Sequence, residues 1–262
     1  MCNKDKLSQQ FLEVAQKALK KFPDTNINTQ LQNTKIQHPY AFAQGTALRC
    51  KDQCVAVIKI DSGGISFDSN YIPATERNKA NQSNKCDLPV IALVIESPHK
   101  NEFFDKKTQR TTPFPAMGTT GENIEKHILG NLAKYCTVED NGRDKAEIYL
   151  RPRLAEGKYR LYLVNAVQYQ CSLGKLDKKS NAPARKNHIV NEFFKEYGKN
   201  CFVKRLKKLH PKIIINCCTI GDGYRNRDMV QEVINEKFAC CQRMTGYHPA
   251  YLLFAKGFNT VK

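Results

Sequence analysis

No apolar run in this 262-residue chain reaches the ~18 residues that a membrane-spanning helix needs. The opening stretch, MCNKDKLSQQ, lacks the apolar core of a secretion signal. No segment repeats. These absences lead us to expect a soluble, cytoplasmic protein with no membrane partner. Acidic residues are also in short supply: 25 Asp and Glu face 42 Lys and Arg, leaving a net charge of +17. That excess excludes little about the fold but bears on the partner, because a strongly basic surface attracts a polyanion, and DNA is the expected one. The basic residues are clustered rather than scattered: Lys17, Lys20 and Lys21; Lys175, Lys178, Lys179, Arg185 and Lys186; Lys204, Arg205, Lys207, Lys208 and Lys212. Clustering favours a binding face over a uniformly solvated surface.

What is present is a core-forming pattern, with 41% hydrophobic residues. Residues 8–22 carry apolar side chains at helical spacing and end at Pro23. VAVIKI (55–60) reads as a strand with Gly63-Gly64 as its turn, and residues 67–87 read as a loop. LPVIALVI (88–95) is a continuous apolar run, the pattern of a strand covered on both faces. Further strands are predicted over 159–167, 211–218 and 238–243, and helices over 121–135, 186–209 and 227–237. Strands alternating with helices predict an α/β fold, a three-layer α/β/α sandwich with a mainly parallel central sheet. Residues 1–85 are expected to form an N-terminal helix-and-strand extension packed on a core of residues 86–262. A monomer is expected.

In such sheets the active crevice lies outside the carboxyl ends of the strands. Three predicted strands lead there into polar side chains. One ends at Glu96-Ser97-Pro98-His99, one at Asn165, and one leads into Tyr247-His248-Pro249. A strand tip is rigid and the loop beside it is open, so a group placed there is both aimed and accessible.

This constellation resembles the uracil-DNA glycosylase superfamily, and most closely its iron–sulfur bacterial and archaeal branch. IESPH (95–99) is similar to the family's first motif and keeps Glu96 and Pro98. PAMGTTGENI (115–124) is similar to the second, keeping Pro115, Gly118 and Gly121. LVNAVQ (163–168) is similar to the third and places Asn165 as the base reader; YHPAYLL (247–253) is similar to the fourth, with His248 as its histidine. The likeness spans residues 90–254. It implies the fold just described, a bacterial setting, and a monofunctional glycosylase that flips a pyrimidine out of DNA, hydrolyses its glycosidic bond and leaves an abasic site. It implies roles as well. His248 stabilises charge on the departing base, Asn165 reads the base edge, and Glu96 positions water and offsets positive charge on the sugar, with His99 and Glu102 as alternatives for the last task. Ser97, Pro98, Ala116, Met117, Gly118 and Tyr247 would line the base pocket. Lys100, Lys175, Lys178, Lys179, Arg185, Lys186, Tyr251 and Leu252 would contact DNA, Leu252 and Phe254 being wedge or core candidates.

Two departures bear on the substrate. Ala116 stands where the family carries a stacking Phe, and ESPHK (96–100) lacks the Tyr with which the uracil-specific branch blocks a C5 substituent. Both remove bulk where a flipped base would lie. The expectation is therefore a bulky modified cytosine of phage DNA, glucosylated hydroxymethylcytosine, excised in anti-phage defence. Uracil excision and a non-catalytic DNA-binding module remain as alternatives, as does a metal-dependent phosphohydrolase or nuclease built on Glu96, His99 and Glu102. The glycosylase chemistry needs no cofactor. The eleven cysteines of the chain are not expected to form a disulfide framework; Cys50, Cys54, Cys171 and Cys201 are alternative ligands for a structural iron–sulfur cluster or zinc.

Overall fold

The computed structural model describes residues 4–22, 49–62, 64–72, 87–98, 102, 113–136, 154–171, 182–220 and 225–261. Among these, one seven-stranded sheet forms the centre, in the order β2-β1-β4-β3-β5-β6-β7. The strands are β1 (Gln53–Asp61), β2 (Gly64–Ser69), β3 (Val90–Ile95), β4 (Gly157–Asn165), β5 (Pro211–Asn216), β6 (Gln242–Gly246) and β7 (Phe258–Thr260). The helices are α1 (Lys4–Lys21), α2 (Thr119–Cys136), α3 (Ala182–Phe193), α4 (Lys199–Leu209) and α5 (Asn226–Lys237). A π turn, Phe194–Gly198, joins α3 to α4, so the long helix expected over 186–209 is two helices. A 3₁₀ helix, Leu252–Lys256, precedes β7.

The expected mainly parallel sheet is mixed. β3 pairs in parallel with β4 and β5, and β5 with β6, whereas β1 is antiparallel to both β2 and β4, and β7 is antiparallel to β6. Connection length accounts for part of this. Parallel neighbours need a crossover of a dozen or more residues. Only residues 62–63 separate β1 from β2, and residues 247–257 separate β6 from β7. The four central strands are joined by helical crossovers and stay parallel.

β3 is the axis of the core, with all six residues buried. Successive side chains of a strand point to opposite faces. Accordingly Val90, Ala92 and Val94 join one apolar cluster with residues of α1, α3, α4 and α5, while Ile91, Leu93 and Ile95 join a second with residues of α2 and the 3₁₀ helix. This double coverage explains why LPVIALVI reads as unbroken apolar sequence.

The N-terminal segment is built into this core. β1 adds its ladder to β4 over Gln53–Ile60. From α1, Phe11 stacks on Tyr169 at 4.7 Å and meets Phe193 edge-on at 5.3 Å, and Tyr169 meets Phe193 at 5.5 Å. All three rings are almost fully buried. Tyr169 lies just beyond the tip of β4, so α1 braces the strand that ends in Asn165. Truncating a buried Phe to Ala typically costs about 3–5 kcal/mol. We therefore expect F11A to lower the urea-unfolding free energy by that amount; a change below about 1 kcal/mol would show that α1 is not part of the cooperative core.

Candidate active site at the carboxyl tips of the parallel strands

The chain leaves β3 through α2 to reach β4 on one side, then returns through α3 and α4 to β5 on the other side of β3. The strand order reverses there, and ligand crevices in open α/β sheets form at such a point. The tips are fastened to one another. The Ala166 amide donates to the Ile95 carbonyl at 2.7 Å, Val167 to Glu96 at 2.9 Å, and Cys217 to Val94 at 2.8 Å.

Glu96 is the first residue past β3 and is 1% exposed. A carboxylate so deeply buried needs partners, and it has them from three elements. Lys186 of α3 places its ammonium 2.7 Å from Oε1. The Thr219 hydroxyl donates to Oε2, as does the Thr219 amide at 3.3 Å, from the segment after β5. The Asn226 side chain, at the start of α5, donates to Oε2 at 3.0 Å. Burial pushes the Glu96 carboxyl pKa upward, but the charge and hydrogen bond of Lys186, then the Asn226 bond, outweigh it and hold the group below its ordinary 4.5. Burial likewise pulls Lys186 down and Glu96 pulls it up further, so the ammonium pKa ends above its usual value. Both partners are therefore ionised at neutral pH. The Glu96–Thr219 contact bridges β3 and β5, across the point where the strand order reverses.

Asn165 ends β4 with 0% exposure. Its backbone carbonyl accepts a 2.7 Å bond from Arg205 of α4, which is ion-paired to Asp52 just before β1. Its side chain is different: among the described residues neither Nδ2 nor Oδ1 has a hydrogen-bond partner.

His248 follows β6. Its Nδ1 accepts the Ala250 amide at 3.2 Å, which leaves the proton of the neutral ring on Nε2. Burial lowers its pKa first, and the neighbouring Lys186 ammonium second; Glu96 opposes them, and the group titrates at about 4. The loop carrying it is pinned to α2: Asn123 donates to the Pro249 carbonyl at 2.6 Å and Asn131 to that of Phe254 at 2.8 Å.

The Pro115–Gly118 turn enters α2. Ala116 is buried at a φ of 57°, its amide bonded 3.1 Å to Glu102 Oε1. That contact makes Glu102 an anchor of this turn. Gly121 is required by space, because a Cβ there would lie 2.2 Å from the Ala116 carbonyl oxygen. Met117 is half-buried and Gly118 exposed at a φ of 68°. Pro98 is buried, and Ser97, half-buried, lies against the Cys171 thiol.

Several expected contacts with DNA change. Arg185 is fully buried and donates to the Phe22 carbonyl at 3.2 Å, so it does not face a phosphate. Lys186, the next residue, turns to Glu96 instead. Phe254 is core, meeting Phe258 edge-on at 5.8 Å. Leu252 begins the 3₁₀ helix, while Tyr247 and Tyr251 are exposed. His99, Lys100, Lys175, Lys178 and Lys179 lie outside the described residues. Cys50, Cys171 and Cys201 are buried and Cys54 is half-buried, and none of the four is in a disulfide with a described residue; burial raises the Cys171 thiol pKa far above its ordinary value. Among the described residues no three His, Cys, Asp or Glu side chains gather as metal ligands.

Three strand tips stand out in the sequence, and Thr219 belongs to a fourth: it follows the apolar run PKIIINCC, two residues beyond the Cys217 that succeeds β5, much as Glu96 follows LPVIALVI. In comparisons with known proteins, no family model, no curated protein and no solved structure matches this chain.

The His248 geometry carries a pH prediction. Native His248 stays neutral down to about 4, whereas the unfolded ring protonates near 6.5. The unfolded state binds the extra proton in that window, so stability falls as pH drops from 6.5 towards 4. Loss from Glu96 begins only at lower pH, below its ordinary 4.5, because its native pKa is depressed. We expect H248Q to flatten the acid limb of urea-unfolding stability between these values; an unchanged slope would mean that the ring titrates normally.

Proposed function

We propose that the protein is a monofunctional DNA glycosylase, folded as a three-layer α/β/α unit, that flips a modified pyrimidine out of DNA and hydrolyses its glycosidic bond. The single observation that carries this reading is the Asn165 amide, buried to 0% exposure and unpartnered among the described residues. An unsatisfied buried polar group costs about 1–3 kcal/mol, so one kept at a strand tip is a candidate for ligand recognition. A pyrimidine edge offers a donor and an acceptor, and a single amide satisfies both.

The neighbouring groups fit the remaining tasks. Neutral His248 offers Nε2–H to the oxygen on which negative charge develops as the base departs. A preorganised donor of that kind is worth about 3 kcal/mol in the transition state. Glu96, held ionised, is too weak a base to take a proton early. Its charge instead offsets the positive sugar and orients the water that adds to C1′. Ala116 stands where the resemblance puts a stacking ring, a smaller side chain that favours glucosylated hydroxymethylcytosine from phage DNA over uracil. The net charge of +17 suits a DNA partner and makes binding steeply salt-dependent. We place the activity in the cytoplasm of a bacterium, as anti-phage defence, with no metal needed for the chemistry.

The N165A variant separates this role from a structural one. Deleting an unsatisfied buried amide should leave melting unchanged or slightly raised, while abasic sites formed in glucosylated DNA, counted with an aldehyde-reactive probe, fall at least about 100-fold. A variant that melts early and retains activity in proportion to its folded fraction would contradict the role. Wild type that binds DNA and forms no abasic site in any substrate would favour a binding module.

A further inference from the structure

We infer that Lys186 is a catalytic residue, whose ammonium binds the base as it leaves as an anion; this rests on the glycosylase reading above. Sequence position alone suggested a phosphate contact in a basic loop. The fold turns the side chain inward instead, 2.7 Å from Glu96 Oε1 and only 28% exposed. An ammonium carries three N–H donors. Glu96 is the one ion-pair partner of Lys186 among the described residues, which leaves N–H donors to spare. The charge is felt by groups on several elements around the crevice: Glu96 after β3, Cys171 after β4, Cys218 after β5, and His248 and Tyr251 after β6. The ammonium is thus among the strand tips, paired with the carboxylate that ends β3.

The chemistry calls for such a charge. The C1′–N bond breaks with its electron pair going to the base, which departs negative while the sugar becomes positive. Water adds to C1′ and releases one proton, and the base takes up one proton, so no further reactant is required. A neutral His248 supplies a donor and no net charge. Glu96 is negative and would repel the departing base. Lys186 offsets Glu96 on the base side, and Glu96 in turn keeps Lys186 protonated and fixed. Glu96 thereby acts on the sugar and Lys186 on the base, matching the two opposite charges of the transition state.

The test compares wild type, K186Q and K186R on DNA from which wild type releases a base. K186Q keeps a donor for Glu96 and removes the charge; K186R keeps the charge. Saturating single-turnover rates should fall by roughly 10²-fold in K186Q and by less than about tenfold in K186R. DNA affinity and its salt slope should be unchanged in both. A K186Q variant with weaker binding, a salt slope reduced by about one and an unchanged saturating rate would make Lys186 a phosphate contact and overturn the inference. Should K186Q fail to fold, inhibition of wild type by the free released base is measured instead. Inhibition that tightens as the base ionises supports the inference, and inhibition indifferent to ionisation overturns it. Failure of the glycosylase reading itself would appear separately, as wild type releasing no base from any DNA.

Discussion

The buried ion pair between Glu96 and Lys186 is the constraint on which the arrangement of the strand tips depends. Taking a carboxylate and an ammonium out of water costs several kcal/mol each, and their attraction repays this only with good geometry and further hydrogen bonds. Thr219 and Asn226 supply those bonds. Such a pair is weak evidence for stability, since apolar residues of similar volume often serve a core as well. Its place at the reversal of strand order is therefore the informative feature. It gathers the end of β3, the segment after β5, and residues near the starts of α3 and α5 around one carboxylate, and its two charges act in opposite directions on His248, whose pKa is lowered mainly by burial.

The N-terminal segment completes this arrangement rather than decorating it. β1 widens the sheet beside β4, and Asp52 holds Arg205, which grips the carbonyls of Asn165 and Ala166. Gln168 joins the same network, receiving Arg49 and donating to Asp52. The backbone carbonyls of the β4 tip are thus bonded, while the Asn165 side chain has no hydrogen-bond partner among the described residues. A rigid backbone holding an unsatisfied amide is the form expected of a preorganised recognition group, whose cost is met by the surrounding fold.

Much of this was legible in the sequence where burial is total. The apolar run of β3, the helix expected over 121–135 and observed as Thr119–Cys136, and the strand beginning at Pro211 follow directly from pattern. The edge strands were not legible. β2 and β7 are mostly exposed, so little in their composition sets them apart from loops, and the strand expected over 238–243 is observed at Gln242–Gly246. Glu96, Asn165 and His248 could be singled out because polar residues ending apolar runs stand out. Lys186 could not: on a helix of 3.6 residues per turn, neighbours point about 100° apart, and no local feature says which of Arg185 and Lys186 enters the core and which the site. Thr219 and Asn226 are common residue types whose importance comes only from the carboxylate they meet. The contact of Glu102 with the Ala116 amide was not legible for the same reason, since only the fold brings the two together.

The most direct measurement of the central claim is mass spectrometry of the small-molecule fraction after wild-type protein is incubated, in EDTA, with phage DNA carrying glucosylated hydroxymethylcytosine and with uracil-containing DNA. Release of the free glucosylated base, undiminished by EDTA, is the result this account predicts. No free base from either DNA would contradict it, leaving the strand-tip constellation as a binding site without hydrolysis.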